Sequence, residues 1–212
     1  AMAFWGPPFV ESEAQARLAC EAALLQIERF ARFRAELPDL LGVKSYRPAL
    51  GLRIGIATGD VIAGSVGSQE AMNYTVLGDP VNIAARLEKL NKRYGTSILV
   101  SDGTAAMLAG AAVLREVDKV AVSGRDGSLA IFELIAMQGE ADAARDALLA
   151  AYAAALAAYR ERDWTAAAAG FRACLDLAPQ DGPSRTMLAR CERLQAQPPP
   201  DDWDGTWRAA DG

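Results

Sequence analysis

Asn82 and Arg86 are the polar pair best placed for chemistry, because they stand four residues apart in a segment that predicts a helix. Asp79 and the proline after it indicate where this helix starts. Residues four apart share one face of a helix, and an amide beside a guanidinium can bind a sugar oxygen and a phosphate. The alternative interpretation is a solvated polar face, because Lys89 and Arg93 continue the pattern along the helix.

Several other chemistries are excluded by residues and spacings that the chain lacks. None of the 212 residues is histidine, which excludes Ser-His-Asp and Cys-His catalysis and histidine-ligated zinc within this chain. The segment 42–45 lacks the upstream glycine of a P-loop, and the glycines at 59, 64 and 67 do not fit the GxGxxG pattern. The three cysteines are far apart, so we expect small apolar thiols in a reducing compartment rather than disulfides or a zinc site.

The charge and hydropathy of the chain restrict the classes of binding partner and the cellular location that we expect. Lys and Arg number 22 and Asp and Glu 27, giving a net charge of −5, without the basic footprint of a nucleic-acid-binding protein. No apolar run approaches the roughly 20 residues needed to cross a bilayer, and the chain has no signal-peptide pattern. We therefore expect a cytoplasmic protein with no nucleic-acid partner. The apolar opening 1–6 is typical of the middle of a strand, so we also expect a truncated amino terminus.

Hydrophobic periodicity predicts the elements of the first part of the chain. Residues 1–6 predict a short strand, and 12–37 predict a helix that Pro38 ends. Residues 52–56 and 61–66 predict two strands paired as a hairpin.

The following segment predicts the element that carries the polar pair. A strand over 73–77 leads into a helix that begins with Asp79 as its cap, runs to about Arg93 and stops at Gly95. A strand over 97–100, a short helix over 102–108 and a hairpin of 113–122 with 129–136 complete this part.

Composition changes near Gly139. Eleven of the eighteen residues in 141–158 are alanine, the strongest helix former, and two further helices are predicted over 165–177 and 183–194. The end of the chain is rich in Pro and Asp and contains Trp203 and Trp207, which predicts an extended tail docked through its tryptophans. We thus expect an α+β domain over 1–138, helices over 139–196 and a tail over 197–212.

Three segments resemble the carboxy-terminal half of a class III adenylate/guanylate cyclase domain. They are 52–60 (LRIGIATGD), 63–67 (AGSVG) and 74–88 (YTVLGDPVNIAARLE), and the similarity extends over residues 1 to 137. The opening 1–8 resembles the strand that follows the family's second metal-binding aspartate. The resemblance implies a ferredoxin-like α+β core that lacks its amino-terminal strands.

The resemblance also implies roles for individual residues. Asn82 matches the asparagine that positions the ribose, and Arg86 matches the arginine that stabilises charge on the α-phosphate. Thr75 stands where the family places the residue facing the purine, and a hydroxyl that accepts from the adenine amino group favours ATP; the alternative is an ordinary β-branched strand residue. Ser123 replaces a frequent triphosphate-binding lysine, so either Arg125 reaches the phosphates instead or it is an exposed turn residue.

Family cyclases use two metal ions, Mg²⁺ or Mn²⁺, held by aspartates that the resemblance places upstream of this chain. Asp79 is the tempting substitute, but helix capping explains it, so no metal ligand is assigned here. Because the family site forms between two domains, the resemblance implies a homodimer in which this chain contributes only the Asn and Arg half. We therefore expect the isolated chain not to turn over ATP.

Two functions remain open at this stage. The first is an adenylate cyclase region that makes cyclic AMP and pyrophosphate from ATP; the second is a non-catalytic cyclase-homology module that regulates or scaffolds through its helical tail. Ala167, Phe171 and Pro179 resemble the second half of a tetratricopeptide repeat, of which at most about one and a half copies fit. Those helices are expected to pack on the cyclase domain or on a protein partner. Similarity of the tail to multidomain bacterial cyclases raises the expectation of upstream membrane spans.

Overall fold

Apolar residues that alternate along the chain form two separate sheets, and the helices cover one of them on both faces. The structure is a computed structural model that describes residues 1–42, 50–68, 71–108, 110–121, 127–139 and 141–208. The elements are α1 (Gln15–Leu40), β1 (Ile54–Ile56), β2 (Ile62–Ser68), β3 (Ala71–Leu77), α2 (Asp79–Tyr94), β4 (Ile98–Ser101), α3 (Asp102–Met107), β5 (Ala112–Ala121), β6 (Ser128–Met137), α4 (Ala143–Arg160), α5 (Trp164–Leu177) and α6 (Gly182–Ala196).

The larger sheet has the strand order β1-β4-β6-β5. β1 and β4 are parallel, whereas β4–β6 and β5–β6 are antiparallel. β2 and β3 form their own antiparallel hairpin, in register from Ile62 opposite Leu77 to Ser68 opposite Ala71. The predicted hairpin of 52–56 with 61–66 is therefore wrong. Periodicity identified both strands but carries no information about the partner, and β1 pairs with a strand more than forty residues away.

Alternation along β4 separates two hydrophobic cores. Ile98 and Val100 face a layer formed by α1 and α3, where Cys20 is fully buried. Leu99 faces the opposite layer, whose core runs from Leu87 on α2 into the three C-terminal helices. Successive side chains of a strand point to opposite faces, so one short strand contributes to both cores.

Two boundaries near the amino terminus differ from the prediction. Residues 1–6 form no strand and pair with neither described sheet, although the Phe4 ring lies 6.0 Å from the Tyr74 ring of β3. Pro38 lies inside α1, which continues to Leu40. A proline removes only its own N–H from the helical ladder, and three residues from the end this loss does not stop the helix.

α4, α5 and α6, together called the helical module below, are each capped by an aspartate. Asp142, Asp163 and Asp181 accept hydrogen bonds from the backbone N–H three residues further on, at 3.0, 2.9 and 2.9 Å. Tyr152 and Phe171 meet edge to face, with ring centroids 5.2 Å apart, in the core that the module shares with the sheet. The helices thus pack on the cyclase-like part, as one of the two expectations stated. Their resemblance to a tetratricopeptide repeat stays a prediction.

The chain end crosses the helical module and joins the sheet. Trp203 packs against Tyr159 and Trp164, with centroids 5.4 and 5.3 Å away. Trp207 is buried, donates its N–H to the carbonyl of Lys119 at 2.8 Å and accepts from the N–H of Ala121 at 2.8 Å. The predicted docking through the tryptophans is confirmed, and the tail covers the otherwise open edge of β5. Within the described ranges, no helix is both long and apolar enough to cross a bilayer.

Candidate nucleotide site

α2 is held against β1 by direct contact between their backbones. A Cβ atom at Gly55 would lie 2.1 Å from the carbonyl oxygen of Ala84, so only glycine permits this approach. Leu87 packs fully buried beneath the helix. The N-cap is Gly78, with no side-chain capping bond, and Asp79 is the first helical residue; the prediction that Asp79 caps the helix is therefore wrong by one position. In the first turn its carboxylate still lies favourably in the field of the helix dipole.

Asn82 and Arg86 lie in α2 one turn apart, as predicted. Asn82 is exposed, and its side chain makes no hydrogen bond to any residue that the structure describes. Arg86 is half-buried, and its Nη1 atom is buried without a hydrogen-bond partner in the described part of the chain. A buried guanidinium nitrogen of this kind normally has a partner, because leaving it without one costs about 1–3 kcal/mol or more. Asn82 and Arg86 thus both carry polar side-chain atoms without a hydrogen-bond partner in the described part of the chain.

The other two predicted residues are placed differently. Thr75 lies in β3 opposite Gly64, half-buried beside the buried Val76. No hydrogen bond among the described residues joins Thr75 to Asn82 or Arg86. Arg125 and Ser123 lie outside the described residues.

A cleft of about 630 Å³ opens beside the start of α2. Asp60, Asp79 and Asp102 contribute carboxylates to it, but neither Asn82 nor Arg86 lines it. Across the described ranges, no group of three or more Cys, Asp or Glu side chains is arranged to hold a metal ion. The residues present therefore do not fit the metal site of a cyclase, and we derive no step through a metal.

Apolar side chains on the β2–β3 hairpin face outward. Ile62 is 77% exposed, Met72 62%, Tyr74 58% and Leu77 54%. Ile62 and Leu77, which pair across the hairpin, lie on one of its faces, and Met72 and Tyr74 lie on the other. The exposed pair of Ile62 and Leu77 is a candidate interaction surface.

The far end of α2 is closed. Asn91 is buried and donates to the carbonyls of Ile54 and Leu87 at 2.9 and 3.0 Å, while its own carbonyl accepts from Thr96 at 2.7 Å. Gly95 ends the helix in the left-handed conformation, as its predicted role as a stop requires.

A buried charged cluster beyond Asn91 was missed from the sequence. Tyr94 donates to Asp118, and Arg190 contacts both of them. Burial, reinforced by the Asp118 carboxylate, raises the pKa of Tyr94 far above its usual range. Burial alone would lower the pKa of Arg190, but Asp118 raises it, so the guanidinium stays charged. The sequence held one signal: Arg190 falls in the apolar stripe of α6, between Met187 and Leu194.

Comparison with known proteins identifies the family. The model of the adenylate and guanylate cyclase catalytic domain matches residues 11–136, more than half of the chain. The chain belongs to this class III cyclase family.

Three similar curated proteins are named as adenylate cyclases. "Adenylate cyclase 1" of Rhizobium meliloti (strain 1021) is 36% identical over 133 residues, 63% of this chain and 19% of the relative. The adenylate cyclase of Anabaena cylindrica is 36% identical over 119 residues, 55% of this chain and 24% of the relative. The terminal-differentiation-specific adenylate cyclase of Dictyostelium discoideum is 31% identical over 160 residues, 72% of this chain and 7% of the relative. The chain thus spans at most about a quarter of the length of these relatives.

Solved structures agree on the fold. The adenylyl cyclase CyaB from P. aeruginosa is similar with a TM-score of 0.54 and 23% identity, covering 66% of this chain and 68% of that one. The guanylyl cyclase Cya2 has a TM-score of 0.52 and 21% identity, covering 65% and 66%. The α+β cyclase fold is therefore confirmed for this chain.

Proposed function

We propose that this chain supplies half of an adenylate cyclase site, which converts ATP to cyclic AMP and pyrophosphate for intracellular signalling. The observation that carries the proposal is the placement of Asn82 and Arg86 one turn apart on α2, with Asn82 exposed and Arg86 Nη1 lacking a partner among the described residues. A phosphate oxygen satisfies such a guanidinium with a charge-assisted hydrogen bond.

The reaction is an internal phosphoryl transfer. The ribose 3′-oxygen forms a bond to the α-phosphorus, the bond to the pyrophosphate oxygen breaks, and the hydroxyl proton passes to solvent. Arg86 stabilises the negative charge that develops on the α-phosphate oxygens, and Asn82 holds the ribose so that its hydroxyl faces the phosphorus. Positioning and charge stabilisation provide most of the catalysis in this class of reaction, so the absence of histidine is compatible with it.

The choice of ATP rests on Thr75 and on the relatives. Its hydroxyl accepts from the exocyclic amino group of adenine, which guanine does not present at the same position. The three curated relatives described above are named as adenylate cyclases, which favours the same substrate. Arg125 is the candidate for a triphosphate contact.

Divalent ions, Mg²⁺ or Mn²⁺, complete the proposed site through ligands that the described residues do not include. The isolated 212-residue chain is accordingly expected to make no cyclic nucleotide.

A second cyclase domain is the proposed partner. Ile62 and Leu77, exposed side by side on one face of the β2–β3 hairpin, provide a surface that association would bury. In this proposal the second copy of the complete protein contributes the metal-bearing half, so that the head-to-tail dimer contains complete sites.

The test is a cyclase assay of the complete protein with Mg²⁺ or Mn²⁺, using ATP and GTP in parallel. We expect cyclic AMP from the wild type and a dimer by sedimentation. The Ile62→Asp variant is expected to lose both the dimer and the activity. Leu177→Asp, at an exposed leucine on α5, is the matched control that is expected to keep both. A complete protein that binds nucleotide without turnover would instead favour the non-catalytic regulatory or scaffold module.

A further inference from the structure

The C-terminal end of α2 lies inside the core of the helical module. Tyr94 is fully buried in the hydrophobic cluster that also contains Tyr152 and Phe171. Its hydroxyl group donates a hydrogen bond to Asp118 on β5. The helix that carries Asn82 and Arg86 therefore ends in a packed environment formed by other elements.

Arg190 of α6 connects these elements. Its guanidinium donates to Asp118 Oδ2 at 2.5 Å, to the Tyr94 hydroxyl at 3.2 Å and to the Tyr159 hydroxyl at 3.4 Å. Side-chain exposure is 4% for Arg190 and 1% for Asp118. One buried cation thus joins α6 to α2, β5 and α4.

A backbone contact between two glycines brings α6 to the same place. Gly95 and Gly182 approach so closely that a Cβ atom on Gly182 would lie 2.3 Å from the Tyr94 carbonyl oxygen. Thr186 donates its hydroxyl to the carbonyl of Arg93 at 3.0 Å, satisfying one of the free carbonyls at the helix end. The Arg93 guanidinium stacks on the Trp207 ring, 3.9 Å from its centroid.

The start of α6 is fixed to the sheet by a second buried pair. Arg115 on β5 contacts Asp181 at 2.8 Å and Glu133 at 2.5 Å. Asp181 is also the N-cap of α6. α6 is therefore anchored at its first turn and again at Arg190, so it cannot shift along the sheet without breaking an ion pair.

Buried ion pairs of this kind contribute little net stability compared with apolar residues of the same size, and their best-attested use is to select one arrangement. The arrangement selected here is that of α2. Arg86 precedes Tyr94 by eight residues of continuous helix, about 12 Å, so a shift or tilt at Tyr94 reaches the candidate site directly.

We propose that Arg190 is a positioning residue for the cyclase reaction: through Asp118 and Tyr94, the helical module holds α2 where Asn82 and Arg86 face the nucleotide. This proposal rests on the proposed function, and it gives the helical module a task within this chain rather than with a separate partner.

The test compares variants of the complete protein by steady-state kinetics and by hydrogen exchange of α2. Arg190→Met is expected to lower kcat about 10- to 100-fold with KM for ATP little changed, because misplacement of a catalytic group affects the transition state more than ground-state binding. Arg190→Lys is expected to restore part of kcat, since it keeps the charge but reaches fewer partners. The matched control is Arg172→Met, which removes an exposed arginine paired with Glu192 in the same module and should leave kcat unchanged.

Hydrogen exchange separates this proposal from the proposed function. Amides of α2 are expected to exchange faster in Arg190→Met while those of α1 and β4 keep their wild-type rates. Unchanged exchange in α2 would overturn the positioning role, and so would faster exchange with kcat at the control's level. If the wild type makes no cyclic nucleotide, the proposed function fails, while the exchange rates still decide whether Arg190 holds α2.

A second variant covers the case in which Arg190→Met does not fold. Gly182→Ala pushes α6 from the end of α2 without removing any charged group, and it should show the same combination of lower kcat and faster α2 exchange. Gly51→Ala is the control, because a Cβ at that position meets nothing within 4 Å. Equal kcat and equal exchange for Gly182→Ala and Gly51→Ala would overturn the proposal.

Discussion

Two asparagines on α2 show how differently the two ends of one helix are built. Asn82, near the start, is exposed, and its side chain makes no hydrogen bond within the described residues. Asn91, near the end, is buried, and its amide joins β1, its own helix and Thr96. An asparagine side chain thus contributes to stability where its amide is hydrogen-bonded within the fold. Where the amide has no such partner, it is available to bind a ligand.

Arg190 of the helical module and Arg86 of α2 show the same contrast. Arg190 is buried with three oxygen acceptors around it, whereas Arg86 keeps a buried nitrogen without one. The C-terminal end of α2 is therefore held by hydrogen bonds to other elements, whereas the N-terminal half keeps polar atoms without a partner among the described residues.

The largest effect is expected in the N-terminal half of α2. Arg86→Ala should lower the cyclase activity of the complete protein about 10²–10³-fold while nucleotide binding changes little, because the guanidinium acts mainly on charge formed in the transition state. Steady-state kinetics and equilibrium binding of ATP measure the two quantities. Lys89→Ala, on an exposed residue of the same helix, is the control. An Arg86→Ala activity within about threefold of wild type would remove Arg86 from the mechanism.

A change at the C-terminal end of α2 should act on stability instead. Asn91→Ala leaves the Ile54 carbonyl and the Thr96 hydroxyl without their buried partner, so we expect about 1–3 kcal/mol lower free energy of unfolding. Asn82→Ala is the matched variant and should stay within about 0.5 kcal/mol of wild type. Urea denaturation measures both. Equal losses for the two asparagines would erase the distinction between the ends of α2.

Thr75 on β3 provides a second test of the proposed nucleotide site. Thr75→Val keeps the shape and removes the hydroxyl, and loss of one neutral hydrogen bond predicts a decrease of about 2- to 10-fold in the ATP-over-GTP ratio of kcat/KM. Parallel assays with the two nucleotides measure this ratio. An unchanged ratio would leave Thr75 as an ordinary strand residue and return the substrate preference to other groups.

The smallest effect concerns the tail that covers Arg93. Hydrogen bonds from Thr206, with a further contribution from Lys119, lower the pKa of Asp204 to about 2. A lowered pKa contributes stability above the unfolded-state value near 3.8, and the contribution is lost as the pH falls toward 2. Because Asp204 is about half exposed, we expect less than about 1 kcal/mol. Wild type should exceed Asp204→Asn in stability at neutral pH, with the difference closing in acid; a pH-independent difference would contradict this assignment.

Local signals predicted most of the elements around the site. Asp79, Pro80 and Gly95 indicated both ends of α2 to within a residue, since caps and stops act over a single turn. The hairpin of β5 with β6 and the three C-terminal helices followed in the same way from periodicity and alanine content. Pro38 is the exception, because a proline near a helix end removes one hydrogen bond and leaves the rest.

Contacts between residues far apart in the chain could not be predicted from such local signals. The hairpin predicted for 52–56 and 61–66 is wrong because β1 finds its partner in β4, and strand periodicity is the same whichever neighbour a strand has. Arg190 meets Asp118 across 72 positions of sequence and Tyr94 across 96. The unpartnered nitrogen of Arg86 is equally invisible in a sequence, because it depends on what every surrounding residue fails to reach.

What the amino acids alone determined is the family and the helix that carries Asn82 and Arg86, since both depend on residues within a few positions of one another. The tertiary structure alone decided which polar side chains of that helix have hydrogen-bond partners among the described residues and which do not. The difference between the two ends arises where segments far apart in the chain pack together. Burial there removes water as an alternative hydrogen-bond partner, so each polar group depends on the protein atoms within its reach.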